Sequence, residues 1–149
     1  KERVKDAVGA TKAAVEEGVV PGGGVALLRA GKVLNKVSGD SDDEKIGVEI
    51  VKEALEQPIR WLAKNAGEDD GYVLRKIEEA SDTDYGFNAL TGEFGSMTKF
   101  GILDPLKVTR TALQNAASVA MMVLTTEGLI TELERPEEKK VGSPGMEEY

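Results

Sequence analysis

Cysteine and histidine are both missing from this 149-residue chain. The first absence excludes disulfides, Cys-zinc sites and thiol catalysis, and it fits a reducing compartment. The second excludes His-based triads and His-held metals, so any chemistry rests on carboxylates, Lys, Tyr, Ser and Thr. Basic residues are outnumbered, 19 Lys and Arg against 27 Asp and Glu, for a net charge of -8. That balance argues against a nucleic-acid surface, which needs clustered cations to neutralise phosphates. A long apolar run is lacking too. The longest, "AASVAMMVL" from Ala116 to Leu124, is far short of a bilayer span, and the charged start "KERVKD" is no signal peptide, so no membrane partner is expected. The length suits one domain able to bury a core without metal or disulfide. The first residue is Lys1 rather than Met. A soluble fragment, or a processed or trimmed chain, is therefore expected.

What is present is mostly helical pattern. Val4, Val8, Thr11 and Val15 fall on one stripe of a helix over 1–17, with Glu2, Asp6 and Glu17 opposite. "VVPGGG" then interrupts good helix with its least helix-forming residues, and Val25 to Val37 resume it. "SDDE" from Ser41 to Glu44 has capping-box spacing ahead of Ile46, Ile50, Val51, Ala54 and Leu55, and predicts a helix that Pro58 kinks or splits and Gly67 ends. Asp70 is placed to cap a short fourth helix. Residues 82–97, "DTDYGFNALTGEFGSM", alternate aromatics with glycines and predict a hairpin. Asp104 reads as the N-cap, and Pro105 as the first residue, of a long, Ala-rich, largely buried helix ended by Gly128. "LITELE" reads as a final strand, and Pro136 to Tyr149 as a disordered tail.

The glycines invite a phosphate-binding reading, and two sharp motifs fail. The spacing from Gly24 to Lys32 is wrong for a P-loop, and Val33 follows the lysine. The dinucleotide fingerprint fails because a helix, not a strand, precedes Gly22. What survives is general: a glycine turn feeding a helix offers backbone N–H groups and a positive dipole end to an anion. A plain helix-helix turn explains the same spacing. Asp6, taken alone, is a solvated charge on a polar helix face. Asp104 has its capping role, while Tyr85 and Phe87 face the core and Asn88 either stabilises the turn or reads an adenine.

Taken in order, "RVKDAVGATKAAVEEGVVPGGGVALLRA" (Arg3 to Ala30), "YGFNALTGEFGSM" (Tyr85 to Met97) and "GILDPLKVTRTALQNAASVAMMVLTTEGLI" (Gly101 to Ile130) resemble the C-terminal part of a group I chaperonin subunit, the GroEL type. The likeness is nearly colinear from residue 1 to about 133. It implies a mainly α fold: the C-terminal half of the equatorial-domain helical bundle, with a small β-hairpin and a C-terminal strand. It divides the chain into the closing helix of an intermediate domain (1–17), the equatorial ATP-binding part (18–134) and a disordered tail (135–149).

The resemblance implies a part of an ATP-dependent protein-folding chaperonin, an ATP hydrolase when complete and inactive as an isolated fragment. By position, Asp6 would be the catalytic carboxylate that swings in with its helix to position the hydrolytic water. Gly23 would offer backbone to the nucleotide, Asn88, Ala89 and Leu90 would lie around the base, and Asp104 would bind the ribose hydroxyls. Leu90 stands where the family has Ala. ATP and Mg are the implied cofactors, but the phosphate loop, the Mg-binding Asp and the apical domain that holds unfolded clients and cochaperonin belong upstream. Other subunits in a double heptameric ring, in the cytoplasm or an organelle matrix, are the implied partners, and "LITELE" would join sheet contacts with a neighbour. The tail lacks the Gly-Gly-Met repeats of many bacterial members. A helical assembly or scaffold module without nucleotide chemistry is the rival reading. A small independent nucleotide-binding protein is the third, weakened by the absent phosphate loop.

Overall fold

The structure, a computed structural model, describes residues 1–132. In chain order it has α1 (Glu2–Glu17), β1 (Val19–Pro21), α2 (Val25–Gly31), a 3-10 turn (Lys32–Lys36), α3 (Asp42–Asn65), α4 (Asp70–Glu79), β2 (Tyr85–Asn88), β3 (Glu93–Ser96), α5 (Met97–Phe100), β4 (Leu103–Pro105) and α6 (Leu106–Thr125). Helix dominates, with two antiparallel strand pairs, β1 with β4 and β2 with β3.

Local signals set several of these boundaries. Ser41 Oγ accepts the Glu44 N–H at 3.2 Å, and the Glu44 carboxylate accepts the Asp40 N–H at 2.7 Å, so α3 opens with two donors satisfied. Gly67, in the left-handed region at φ 81°, closes it. Its N–H reaches Lys64 O and the Glu68 N–H reaches Ala63 O, both at 3.0 Å, which is a Schellman motif. Between these ends α3 runs unbroken through Pro58, against the expectation of a split. The proline ring removes one backbone bond, but Leu55, Ile59 and Ala63 recur every four residues and are all buried. Packing on that stripe outweighs the local loss.

Other boundaries moved. The cap of α4 is Asp69, whose carboxylate accepts the Tyr72 N–H at 2.5 Å. Asp70 instead turns to α3, paired with Arg60 at 3.0 Å and Lys64 at 3.6 Å. Helix α2 stops at the buried Gly31 and tightens into the 3-10 turn.

The core lies where α2, α3, α4, the β2–β3 hairpin and α5 meet. Val25, Leu28, Ile59, Ala63, Val73, Leu74, Ile77, Phe87 and Met97 form one buried cluster, flanked by Phe94, Phe100 and Ile102. Arg29 ties α2 to the end of α4, donating to Ile77 O at 2.9 Å and Asp82 O at 2.7 Å. Helices α1 and α6 stand beside this core and pack on each other.

Helix α6 corrects three expectations. None of its residues is buried, because among the described residues it packs mainly on α1 and β4 and its Val119-to-Leu124 stretch stays exposed. It ends at Thr125 rather than Gly128, with the Thr125 and Thr126 hydroxyls bonded back to carbonyls of its last turn. Leu129 to Glu132 form no strand, and none of the strands among the described residues pairs with them. Residues 133 and 134 of the expected strand, and the expected disordered tail, lie outside the described residues.

Candidate functional site

Three consecutive glycines link β1 to α2, and each meets a different neighbour. A Cβ on Gly22 would lie 3.1 Å from Ile102 O and 3.2 Å from Asp104 Oδ1. Gly23 has φ 64°, and its Cβ would meet the Met97 methyl at 2.9 Å. Gly24 has φ 82°, and its Cβ would meet the backbone N of Ile59 at 3.0 Å, one residue after Pro58. Left-handed geometry and close backbone approach both demand glycine here, before any ligand is considered. Two of the local N–H groups are already used, Gly22 on Ile102 O at 2.9 Å and Val25 on Gly22 O at 3.2 Å. Those of Gly23 and Gly24 take no backbone partner among the described residues.

Asp104 sits across β1–β4 from Val20. It is a strand residue and not the helix cap expected of it; Pro105 occupies the N-cap position of α6, and no side chain caps that end. The ladder holds Asp104 extended and turns its carboxylate to the glycine turn. Half-buried, it takes no hydrogen bond or ion pair among the described residues, and burial pushes its carboxyl pKa up. An acceptor-only group left half-desolvated without a donor is a place for a hydroxyl-bearing ligand.

The β2–β3 hairpin also reaches the turn, through the end of β2. Phe87 O lies 3.9 Å from where a Gly23 Cβ would be, which puts the end of β2 beside the glycines. Gly86 permits this approach: a Cβ there would meet Val25 and Met97 atoms at 2.6 Å. Asn88 then turns the chain. Its Oδ1 accepts the Leu90 N–H at 3.0 Å, and its main-chain O accepts the Gly92 N–H at 2.9 Å. The Leu90 side chain is 93% exposed. At the hairpin base Asp84 accepts from Ser96 Oγ, from Thr98 Oγ1 at 2.8 Å and from Thr98 N at 3.2 Å, and these bonds hold its carboxyl below the usual range.

Asp6 is not brought to this place. It is exposed on α1, eleven residues before Glu17, which is about 16 Å along the helix axis at 1.5 Å per residue. Asp6, Ala10, Ala13 and Glu17 nevertheless share one stripe. Ala10 and Ala13 are half-buried, and Glu17 binds Arg110 of α6 through two hydrogen bonds at 2.6 and 3.1 Å. Asp6 therefore extends the stripe that faces α6. The apolar stripe Val4, Val8 and Val15 points to solvent instead, with Val15 82% exposed. Gly18 joins the two helices: its N–H reaches Ala14 O at 2.8 Å, and its O accepts the Leu106 N–H at 3.1 Å.

The structure thus brings Asp104 and the Phe87 end of β2 to the glycine turn, shows no contact of Asn88, Ala89 or Leu90 with it, and leaves Asp6 apart. Sequence reasoning missed the β1–β4 pair, Asp84 and the Glu17–Arg110 bridge. Three-residue strands carry no periodic signal, and partners 93 residues apart leave no local trace. Among the described residues no group of three or more carboxylates gathers as a metal site, and no helix is long and apolar enough to cross a membrane.

This helical arrangement is that of a chaperonin subunit. The fold matches a group III chaperonin solved in the open state, with a TM-score of 0.69 and 32% sequence identity. The match covers 79% of this chain and 25% of that one, so the chain spans about a quarter of the subunit it resembles. Residues 1–133 also match the TCP-1/cpn60 chaperonin family model. The chain belongs to the TCP-1/cpn60 chaperonin family, and group I and group III are not separated by these matches.

Proposed function

We propose that this chain supplies one wall of an ATP pocket, and the hydrolytic carboxylate, to a complete chaperonin subunit working in protein folding. The observation that carries the reading is Asp104: a half-buried carboxylate with no donor among the described residues, held against Gly22 and beside the left-handed Gly23 and Gly24. Ribose hydroxyls are donors of the kind it lacks. Gly23 would lie along the nucleotide, and Asn88, Ala89 and Leu90 would border the base. Mg, held by residues upstream, would offset phosphate charge when bound.

Asp6 would act after α1 turns about Gly18 and carries its α6-facing stripe inward. There its carboxylate would orient the attacking water and take up its proton. Other subunits in a double ring would be the assembly partners, and clients and cochaperonin would bind outside this chain, in cytoplasm or an organelle matrix. Alone, the chain would not turn over ATP.

The test is ATP titration of the complete subunit with Asp104→Ala. Loss of charge-assisted hydrogen bonds should weaken affinity by about tenfold or more, while unfolding without nucleotide stays at or above the wild-type midpoint, since Asp104 caps no helix and its half-buried charge does not favour the fold. Unchanged affinity would remove Asp104 from the site. The scaffold reading draws on one observation, the uncovered apolar faces of α1 and α6. It expects normal assembly, and normal ATP affinity, in that variant.

A further inference from the structure

The glycine turn rests on α5, and α5 depends on Asp84. Helix α5 is a single turn, Met97–Phe100, too short to persist on its own hydrogen bonds. Two side chains meet the free donors at its start: Ser96 Oγ accepts the Lys99 N–H at 3.1 Å, and the Asp84 carboxylate accepts the Thr98 N–H at 3.2 Å. Asp84 does more than cap. Its carboxylate also accepts from Thr98 Oγ1 at 2.8 Å and from Ser96 Oγ, and its main-chain O accepts the Met97 N–H at 2.9 Å. One half-buried residue therefore takes bonds from Ser96, Met97 and Thr98 in succession. The other end of α5 leads to the glycines. Gly101, left-handed at φ 72°, turns the chain so that the Ile102 N–H reaches Met97 O at 2.9 Å, and Ile102 O accepts the Gly22 N–H at 2.9 Å. The Met97 methyl lies 2.9 Å from where a Gly23 Cβ would be. Asp104 follows two residues after Ile102, with its Oδ1 3.2 Å from where a Gly22 Cβ would be. Gly22, Gly23 and Asp104 all rest against, or follow on from, a helix that Asp84 holds at its start.

We infer that Asp84 is a positioning residue for the pocket: through α5 and Ile102 it fixes the Gly22–Gly23 backbone and Asp104 in the arrangement that receives a nucleotide. The inference rests on the pocket reading above. Two substitutions grade the loss. Asp84→Ala removes every side-chain bond to α5, whereas Asp84→Asn keeps one oxygen acceptor and gains an amide that can donate to Ser96 Oγ. Ser41→Ala is the control, because it removes the cap of α3 at the far end of that helix from Ile59, the residue that meets Gly24, and so lowers stability away from the turn.

The experiment measures Kd for ATP on the complete subunit carrying each of these substitutions or Asp104→Ala, with amide hydrogen exchange at Gly22, at a temperature where every variant is folded. Asp84→Ala should speed exchange at Gly22 and weaken ATP by about tenfold, the scale of one or two lost hydrogen bonds. Asp84→Asn should give a smaller loss, about threefold, and decides the matter alone if Asp84→Ala does not fold. Ser41→Ala should leave both readouts at wild type. If Ser41→Ala weakens ATP as much as the Asp84 variants do, the effect is general loss of stability and the inference is overturned. If the Asp84 variants bind like wild type while Asp104→Ala does not, the pocket stands and the positioning role is wrong. If no variant alters binding, the pocket reading fails and takes the inference with it.

Discussion

Asp104 and Asp84 are two carboxylates a short stretch of chain apart with opposite environments. Burial without a donor raises the Asp104 pKa, so its folded form holds a proton more readily than the unfolded chain does. Its effect on stability is therefore unfavourable, in full above the raised folded value, and it fades as pH falls through that value toward the ordinary Asp range near about 3.9. Asp104→Asn should accordingly match or exceed wild-type stability at pH 7 in denaturant unfolding without nucleotide. Asp84 is the reverse case. Its bond from Ser96, with those from Thr98, lowers its pKa, so its stabilisation is present above the ordinary Asp range and is lost as pH drops through the lowered value. Asp84→Asn should reduce stability at pH 7 and flatten the acid limb of a stability-pH curve. An unchanged acid limb would mean that the hairpin base does not depend on this carboxylate.

At the scale of elements, the parts legible in the sequence are those encoded within a few residues. Ser41 and Glu44 announced α3, Gly67 announced its end, and the aromatic-glycine alternation announced the hairpin. Pro58 misled because burial of Leu55, Ile59 and Ala63 is a tertiary effect that no local propensity carries. Asp104 misled for a related reason: its spacing before Pro105 suits a cap, but pairing with Val20 holds it in a strand. The glycine run was legible as a turn, while its three separate neighbours were not. Gly24→Ala should cost about 1–3 kcal/mol, from a left-handed φ and contact with Ile59 N, measured as a shifted denaturation midpoint. Gly23→Val would clash with Met97 as well as with any ligand, so it does not isolate the nucleotide contact. For the α1–α6 junction, exchanging the charges of Glu17 and Arg110 one at a time should destabilise, and the double exchange should recover part of the loss. Strict additivity in that cycle would show that the bridge contributes nothing to joining the helices.

For the whole molecule, the residues left exposed are as informative as the core. A buried cluster unites α2, α3, α4, α5 and the hairpin, yet the valine stripe of α1 and the apolar end of α6 have no cover among the described residues. A chain spanning about a quarter of its relative's subunit has room outside it for the partners of both faces. The candidate residues are divided in the same way, with Asp104 at the glycine turn and Asp6 held apart on a helix joined through Gly18. Hydrolysis would then require α1 to move, while binding would not. The most direct test of this division is single-turnover cleavage of ATP bound to the complete subunit carrying Asp6→Ala. The expected result is ATP bound with nearly wild-type affinity and cleaved at least about a hundredfold more slowly, the usual range for loss of a general base. Cleavage at the wild-type rate would contradict the assignment of the catalytic carboxylate to α1.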